Sequence, residues 1–186
     1  HGPADGYPIE RYTELVRPTL AQYDVRFTNC ERQYSANKTG VGLRPHGCQP
    51  PAMAQIFTDC RFDAVTLANN HMYDFGPVPL LDTRALMHSH GIQTTGAGKD
   101  LAEAREPAIV ERNGIRIGFL GWSAVTPPGA EAGPNKTGIA TLRIRWYLEP
   151  RGPHAPCRVI TEPDERDLAM ICDDRSEEHT SELQSH

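Results

Sequence analysis

The hydrophobic and polar positions of this chain change period several times, and each change marks an element. Over residues 9–22 the side chains Ile9, Tyr12, Leu15, Val16 and Leu20 recur at roughly helical spacing, with Pro18 placed to break or kink the helix. Asp24 to Thr28 alternates and reads as a strand ending in the polar triplet Asn29-Cys30-Glu31. Residues 32–51, rich in Gly, Pro, Asn and Ser, form a long loop of the kind that is functional or mobile. Pro51 to Asp59 reads as a short helix with Met53, Ile56 and Phe57 inward, and residues 62–68 as a buried strand built on Val65, Thr66 and Leu67. That strand stops at Asn69-Asn70-His71. Asp74 follows three residues later, and Gly76-Pro77 turns the chain into a helix carrying Leu80, Leu81, Ala85, Leu86 and Met87. Gly91 ends this helix, Ile92 to Thr95 is a short strand, and Gly96-Ala97-Gly98 is a turn. Asp100 caps a brief helix from Leu101 to Arg105. Strands over 108–111 and 115–122 are joined by Asn113-Gly114, the strongest local hairpin signal. The order α-β-α-β-α-β-α-β-β predicts a layered α/β domain.

Past Ser123 the pattern dissolves. Residues 126–138 are mostly Pro, Gly, Ala and Asn, and four more prolines fall within 149–164. Only 141–147 and 159–160 are strand-like, and a helix begins at about Glu165. The final twelve residues, Arg175 to His186, match the in-frame translation of a common sequencing adapter and are expected to be an artefact outside the domain. The chain opens at His1 without an initiator Met and reads as a fragment.

Composition narrows this little. The 186 residues suffice for one domain with a core, and 38% hydrophobic with 23% charged content is ordinary for a globular protein. The tail carries Arg175 against Glu177, Glu178 and Glu182, so the formal charge of −5 becomes −3 without it. Neither value, nor any basic cluster, suggests a nucleic-acid partner or an anionic membrane. No run reaches membrane-spanning length. The five cysteines (30, 48, 60, 157 and 172) include no C-x-x-C pair, and read as reduced, partly buried thiols with room for one disulfide. Asn37 and Asn135 each begin a formal glycosylation acceptor, a motif with many false positives.

Ligands of α/β proteins bind at the carboxyl ends of strands, which singles out Asn69, Asn70, His71 and Asp74. Spacing alone leaves Asn69, Asn70 and Asp74 equally readable as turn and cap residues, and His71 as a surface histidine. His88-Ser89-His90, at a helix end where imidazoles favour the negative dipole, reads as a surface feature. His46 and Cys48 lie in the long loop with no spacing that demands a role. Gly96-Ala97-Gly98 reads as a glycine turn in preference to an anion cradle, and Trp122-Ser123 ends a strand either lining a cleft or closing the core.

The block Ala68-Asn-Asn-His-x-x-Asp-x-Gly76, with Asp82-Thr83, Gly91-Ile92, Gly96-Ala97-Gly98, Glu103-Ala104-Arg105-x-Pro107 and Asn113-Gly114-x-Arg-Ile-x-Phe-Leu120, resembles the CapA family of capsule and poly-γ-glutamate synthesis proteins. The resemblance runs from about Tyr23 to Ser123, and Asn29-x-Glu31 is similar to an earlier motif of that family. It implies a layered, calcineurin-like metallophosphoesterase fold over residues 1–174, truncated at both ends. A strand ending in Gly-Asp, a His-Trp-Gly motif and a Gly-His-His-Pro-His motif, usual in the family, do not occur in this sequence. As written, the chain therefore completes no two-metal site and is expected to be inactive by itself.

For the full-length protein the resemblance implies two divalent ions (Mn, Fe, Zn or Mg) and a bound water that attacks in line. Asn70 would be a ligand through its amide oxygen and Glu31 a carboxylate ligand, with Asn29 and Asn69 behind them. Glu31 is otherwise a solvated loop acid. His71 would serve the leaving oxygen as proton donor or charge stabiliser. Asp74 would fix the His71 tautomer, or else cap the following helix. The implied substrates are a phosphoester or a capsule or polyglutamate polymer, and the implied partners are capsule-synthesis membrane proteins at the bacterial cell envelope or extracellular face. The alternative is a scaffold or export component without catalysis. With sheet edges and apolar faces uncovered, the chain is expected to be poorly soluble.

Overall fold

The computed structural model describes residues 8–37 and 48–183, with the side chains of 176–183 left outside the description. Its centre is a parallel sheet of three short strands, β1 (Phe27–Asn29), β2 (Ala64–Thr66) and β3 (Gln93–Thr95), in that order. Parallel neighbours need crossover connections. The first passes through a 3-10 turn (Pro51–Ala54), and each then uses a helix: α2 (Gln55–Asp59) between β1 and β2, and α3 (Pro77–Ser89) between β2 and β3. The register sets Asn29 beside Thr66 and Thr66 beside Thr95, so all three strands end level. The ladder continues one step further, through Cys30 N to Thr66 O (3.0 Å) and Leu67 N to Thr95 O (2.8 Å). Buried Val65, Leu67, Leu80, Met87 and Ile92 fill the space between sheet and α3, which is why the β2 segment and the inner stripe of α3 are apolar.

Before the sheet, the expected 9–22 helix is divided into a 3-10 turn (Ile9–Tyr12) and α1 (Arg17–Leu20). Pro18 sits in the first turn of α1, where its missing N–H leaves no bond unmade, so it starts a helix instead of breaking one. The described parts of the long loop are pinned. Tyr34 and Gln49 form a parallel bridge, with Gln49 N donating to Gln33 O and Ser35 N to Gln49 O. His46 lies outside the described residues.

After β3 the expected glycine turn contains a strand. β4 (Ala97–Gly98) pairs antiparallel with β7 (Gly138–Ile139), from the stretch that had no readable pattern. Gly96 has φ +92°, and a Cβ there would lie 2.5 Å from the Ala68 Cβ, so the position admits only glycine beside the turn that follows β2. Helix α4 (Leu101–Arg105) is capped by Asp100, whose carboxylate accepts from Glu103 N at 2.8 Å. The hairpin β5 (Ala108–Arg112) and β6 (Ile115–Phe119) turns at Asn113 (φ +54°) and Gly114 (φ +76°), both left-handed as a two-residue turn of this hand requires. Phe119 stacks on Phe27 with ring centroids 4.5 Å apart. In a second hairpin, β8 (Ile144–Glu149) is shifted from the expected 141–147 and β9 (Arg158–Pro163) is longer than the expected 159–160. Helix α5 (Glu165–Leu183) runs through the tail excluded from the sequence reading. All five cysteines are free, with Cys30 and Cys60 buried. Among the described residues no helix is long and apolar enough to cross a membrane. The architecture is mixed α/β.

Candidate functional site

Level strand ends put the segments after β1 and β2 side by side, and both are polar. Asn69 joins them. Its buried amide Nδ2 donates to Asn29 Oδ1 (2.9 Å) and to Cys30 O (3.0 Å), while its Oδ1 accepts from His71 N (3.0 Å). Three bonds from one side chain hold the Glu31-bearing turn against the His71-bearing turn, and a buried amide left without them would be costly. The bonds that fix this turn run through Asn69 and His71. Asn70 is half-buried between them.

His71 Nδ1 lies 2.9 Å from Asp74 Oδ2, across a turn closed by Asp74 N donating to His71 O (3.2 Å). The two side chains are only 14% and 10% exposed. An ionised carboxylate only accepts, so the proton of the neutral imidazole sits on Nδ1 and Nε2 carries the lone pair. On that side Glu31 Oε1 stands 3.8 Å away, beyond hydrogen-bond reach, on a side chain 58% exposed. The N-cap position of α3 belongs to Gly76 and holds no side-chain cap, so Asp74 points to His71 and not to the helix end. The two carboxylates line different clefts. Asp74 lies in one of about 310 Å³ with Tyr73, Phe75 and Pro77, and Glu31 and Asn29 in one of about 480 Å³ with Arg32, Phe57 and Phe62.

The fit to a metal pair is incomplete. Among the described residues no three His, Cys, Asp or Glu side chains gather into a group able to hold an ion. Glu31 and His71 bring one carboxylate and one imidazole nitrogen together, and the second carboxylate, Asp74, is engaged at the other nitrogen. These residues do not by themselves form a two-metal centre.

The remaining candidates fall elsewhere. His88 and His90 are both exposed, as expected of a helix end, though His88 places Nε2 2.8 Å from Thr94 Oγ1. Cys48 is half-buried. Ser123 is buried and holds its own turn, its Oγ accepting from Val125 N at 3.3 Å. Trp122 is half-buried with Nε1 lacking a partner among the described residues. Burial pushes the Cys30 thiol and the Tyr34 phenol well up, which keeps both neutral beside the site. Sequence reasoning passed over Gln33. It is 1% exposed, takes Phe75 N on Oε1 (2.7 Å) and gives Nε2 to Gly76 O (2.9 Å). A glutamine in a polar loop carries no period or motif that would have marked it.

The family model of the bacterial capsule synthesis protein PGA_cap matches residues 2–177. A probable polyglutamine synthesis accessory protein of Mycobacterium tuberculosis is 36% identical over 112 residues, covering 58% of this chain and 28% of that protein. The PGA biosynthesis protein CapA of Bacillus subtilis is 29% identical over 138 residues, 71% of this chain and 33% of that protein. The capsule biosynthesis protein CapA of Bacillus anthracis is 30% identical over 81 residues, 44% and 20% of the two chains. The chain thus spans a third or less of the length of these relatives.

Proposed function

Because this chain belongs to the bacterial capsule synthesis protein (PGA_cap) family, we propose that it serves the assembly of a capsule or poly-γ-glutamate polymer as a hydrolase on a metallophosphoesterase-type fold. The substrate class is a phosphoester or an amide-linked polymer, and the partners are the membrane components of a capsule-synthesis machine. The names of the Bacillus and Mycobacterium relatives support the polymer. The observation that carries the hydrolytic part is the nearly buried pair of His71 and Asp74 at the carboxyl edge of the parallel sheet, with Nε2 turned toward Glu31.

In this reading Asp74 holds the His71 ring by accepting from Nδ1–H and stabilises the imidazolium when it forms. Protonated His71 then donates from Nε2 to the leaving oxygen or nitrogen, the step that general acids accelerate by about 100-fold or more. Asn69 keeps the Glu31 turn in register with this proton donor. Divalent ions belong to the reading through the family, with Glu31 and Asn70 as donors, but the described residues do not close a site for them. The acid step is therefore derived from the side chains alone.

The test uses the longest reading frame that contains this sequence. Turnover of a generic phosphodiester with Mn²⁺ is measured for the wild-type protein and for His71→Ala and Asn70→Ala, with polymer output of a capsule-forming host alongside. Loss of about 100-fold in turnover for His71→Ala is expected. Equal rates for all three proteins, with polymer output intact, would replace catalysis by a scaffolding or export role.

A further inference from the structure

The strip that follows β1 lies along α3 and the turn before it, and is bonded to both. Gln33 takes Phe75 N and gives to Gly76 O, Tyr34 N donates to Thr83 Oγ1 at 2.7 Å, and Ser35 and Asn37 both donate to Asp82 Oδ2. Three of these four side chains or backbone groups meet α3 itself. Gln33 alone meets the turn before it, the one that carries Asp74. Its amide binds the N–H of Phe75 and the C=O of the next residue, Gly76, with its side chain almost wholly out of water.

Within the turn, Asp74 N donates to His71 O at 3.2 Å and Gly76 N to Tyr73 O at 3.0 Å. Both are local bonds, and buried Met72 and Phe75 seat the turn on the core. Gly76, with φ +83°, is a conformational pivot between that turn and α3. The two bonds from Gln33 come from a segment 42 and 43 residues away in sequence and tie the turn to the β1 extension. They act next to the carboxylate whose direction sets the His71 tautomer.

We propose that Gln33 is a positioning residue for the His71–Asp74 pair: its buried amide locks the Asp74 turn so that the carboxylate accepts from Nδ1 and leaves Nε2 free. The idea rests on the proposed acid role of His71 for its purpose, but its geometry can be tested without any substrate. Asn69 and Gln33 then divide the task, Asn69 tying the Glu31 turn to His71 and Gln33 tying the same β1 extension to Asp74. Gln33→Met keeps the length and the buried volume and removes both hydrogen bonds. Gln33→Glu keeps an acceptor for Phe75 N–H and sets a carboxylate against Gly76 O.

The experiment is nitrogen-15 NMR of histidine-labelled protein at one fixed pH, with the His71 ring signal identified by its loss in His71→Gln. Wild-type protein is expected to show a protonated Nδ1 and an unprotonated Nε2. In Gln33→Met the signal is expected to move to the mixture rich in Nε2–H that an unrestrained imidazole adopts, as in Asp74→Ala, while far-ultraviolet circular dichroism stays that of the folded protein. A folded Gln33→Met with the wild-type tautomer overturns the proposal, as does a wild-type protein whose Nδ1 is unprotonated. If Gln33→Met does not fold, Gln33→Glu decides by the same criterion. A tautomer shift in a protein that hydrolyses nothing would leave the positioning role standing and remove the hydrolase reading.

Discussion

Single side chains carry this site by what they hold in place. Asn69 makes three bonds and Gln33 two, and the imidazole and carboxylate they position are nearly buried. His88 is the counterexample, an imidazole whose surroundings make it a stability element. Burial, and then the Arg84 guanidinium, hold it below its ordinary value against the opposing pull of Glu103. A depressed histidine favours the fold in its neutral form. Its contribution is complete above the unfolded value of about 6.5 and is lost as pH falls through the lowered folded value, where the unfolded chain binds the extra proton. Urea midpoints are therefore expected to fall between about pH 7.5 and about pH 5, and to fall less in His88→Gln. An equal decline in both proteins would place the acid sensitivity elsewhere. The sequence placed His88 correctly, exposed at the end of a helix, and missed its contact with Thr94, which comes beside it only when β3 folds back on α3.

At the scale of elements, helix α5 is attached by ion pairs instead of a broad apolar face. Asp167 is 2% exposed and receives Arg143 through its backbone N–H, Nε and Nη2, at 2.8, 2.8 and 2.6 Å. The hydrogen bonds from Arg143 hold the Asp167 carboxyl below its usual value. Arg105 reaches Asp174 on the same helix. Asp167→Asn keeps the shape and removes the charge, and is expected to cost about 2 kcal/mol. Hydrogen exchange read at residues 165–174 should quicken, while β1, β2 and β3 stay protected. An unchanged exchange pattern would mean that α5 is held by other contacts. Both anchoring aspartates lie before Arg175.

Taken whole, the molecule keeps a compact centre and a bare periphery. Leu15 is 93% exposed, and the β8–β9 hairpin shows Trp146, Leu148 and Val159 on one face at 69%, 55% and 60%. Residues directly opposite or two apart along a strand share a face, so these three form a continuous apolar strip. Such strips drive association. Sedimentation at increasing concentration is expected to show self-association of the chain, reduced in Trp146→Ser/Leu148→Thr. A monomeric wild-type sample with one cooperative unfolding transition would refute that expectation.

Hydrophobic period, glycine and proline alone determined most of the element order here, because most local signals agreed with the fold. The β2 run, the α3 stripe and the Asn113-Gly114 turn needed no distant partner to be read. The sequence also marked Asn69, Asn70, His71 and Asp74, since a polar cluster directly after a buried strand is visible in one dimension. Tertiary structure decided the rest. Parallel register brought Glu31 to within 3.8 Å of His71, forty residues away along the chain. Pairing with Gly138–Ile139 made a strand of Ala97-Gly98, whose composition says turn. Burial made a polar loop residue, Gln33, into a clamp on the Asp74 turn. Contacts of this kind depend on which distant backbone groups lack a partner, and no local pattern of residue types records that.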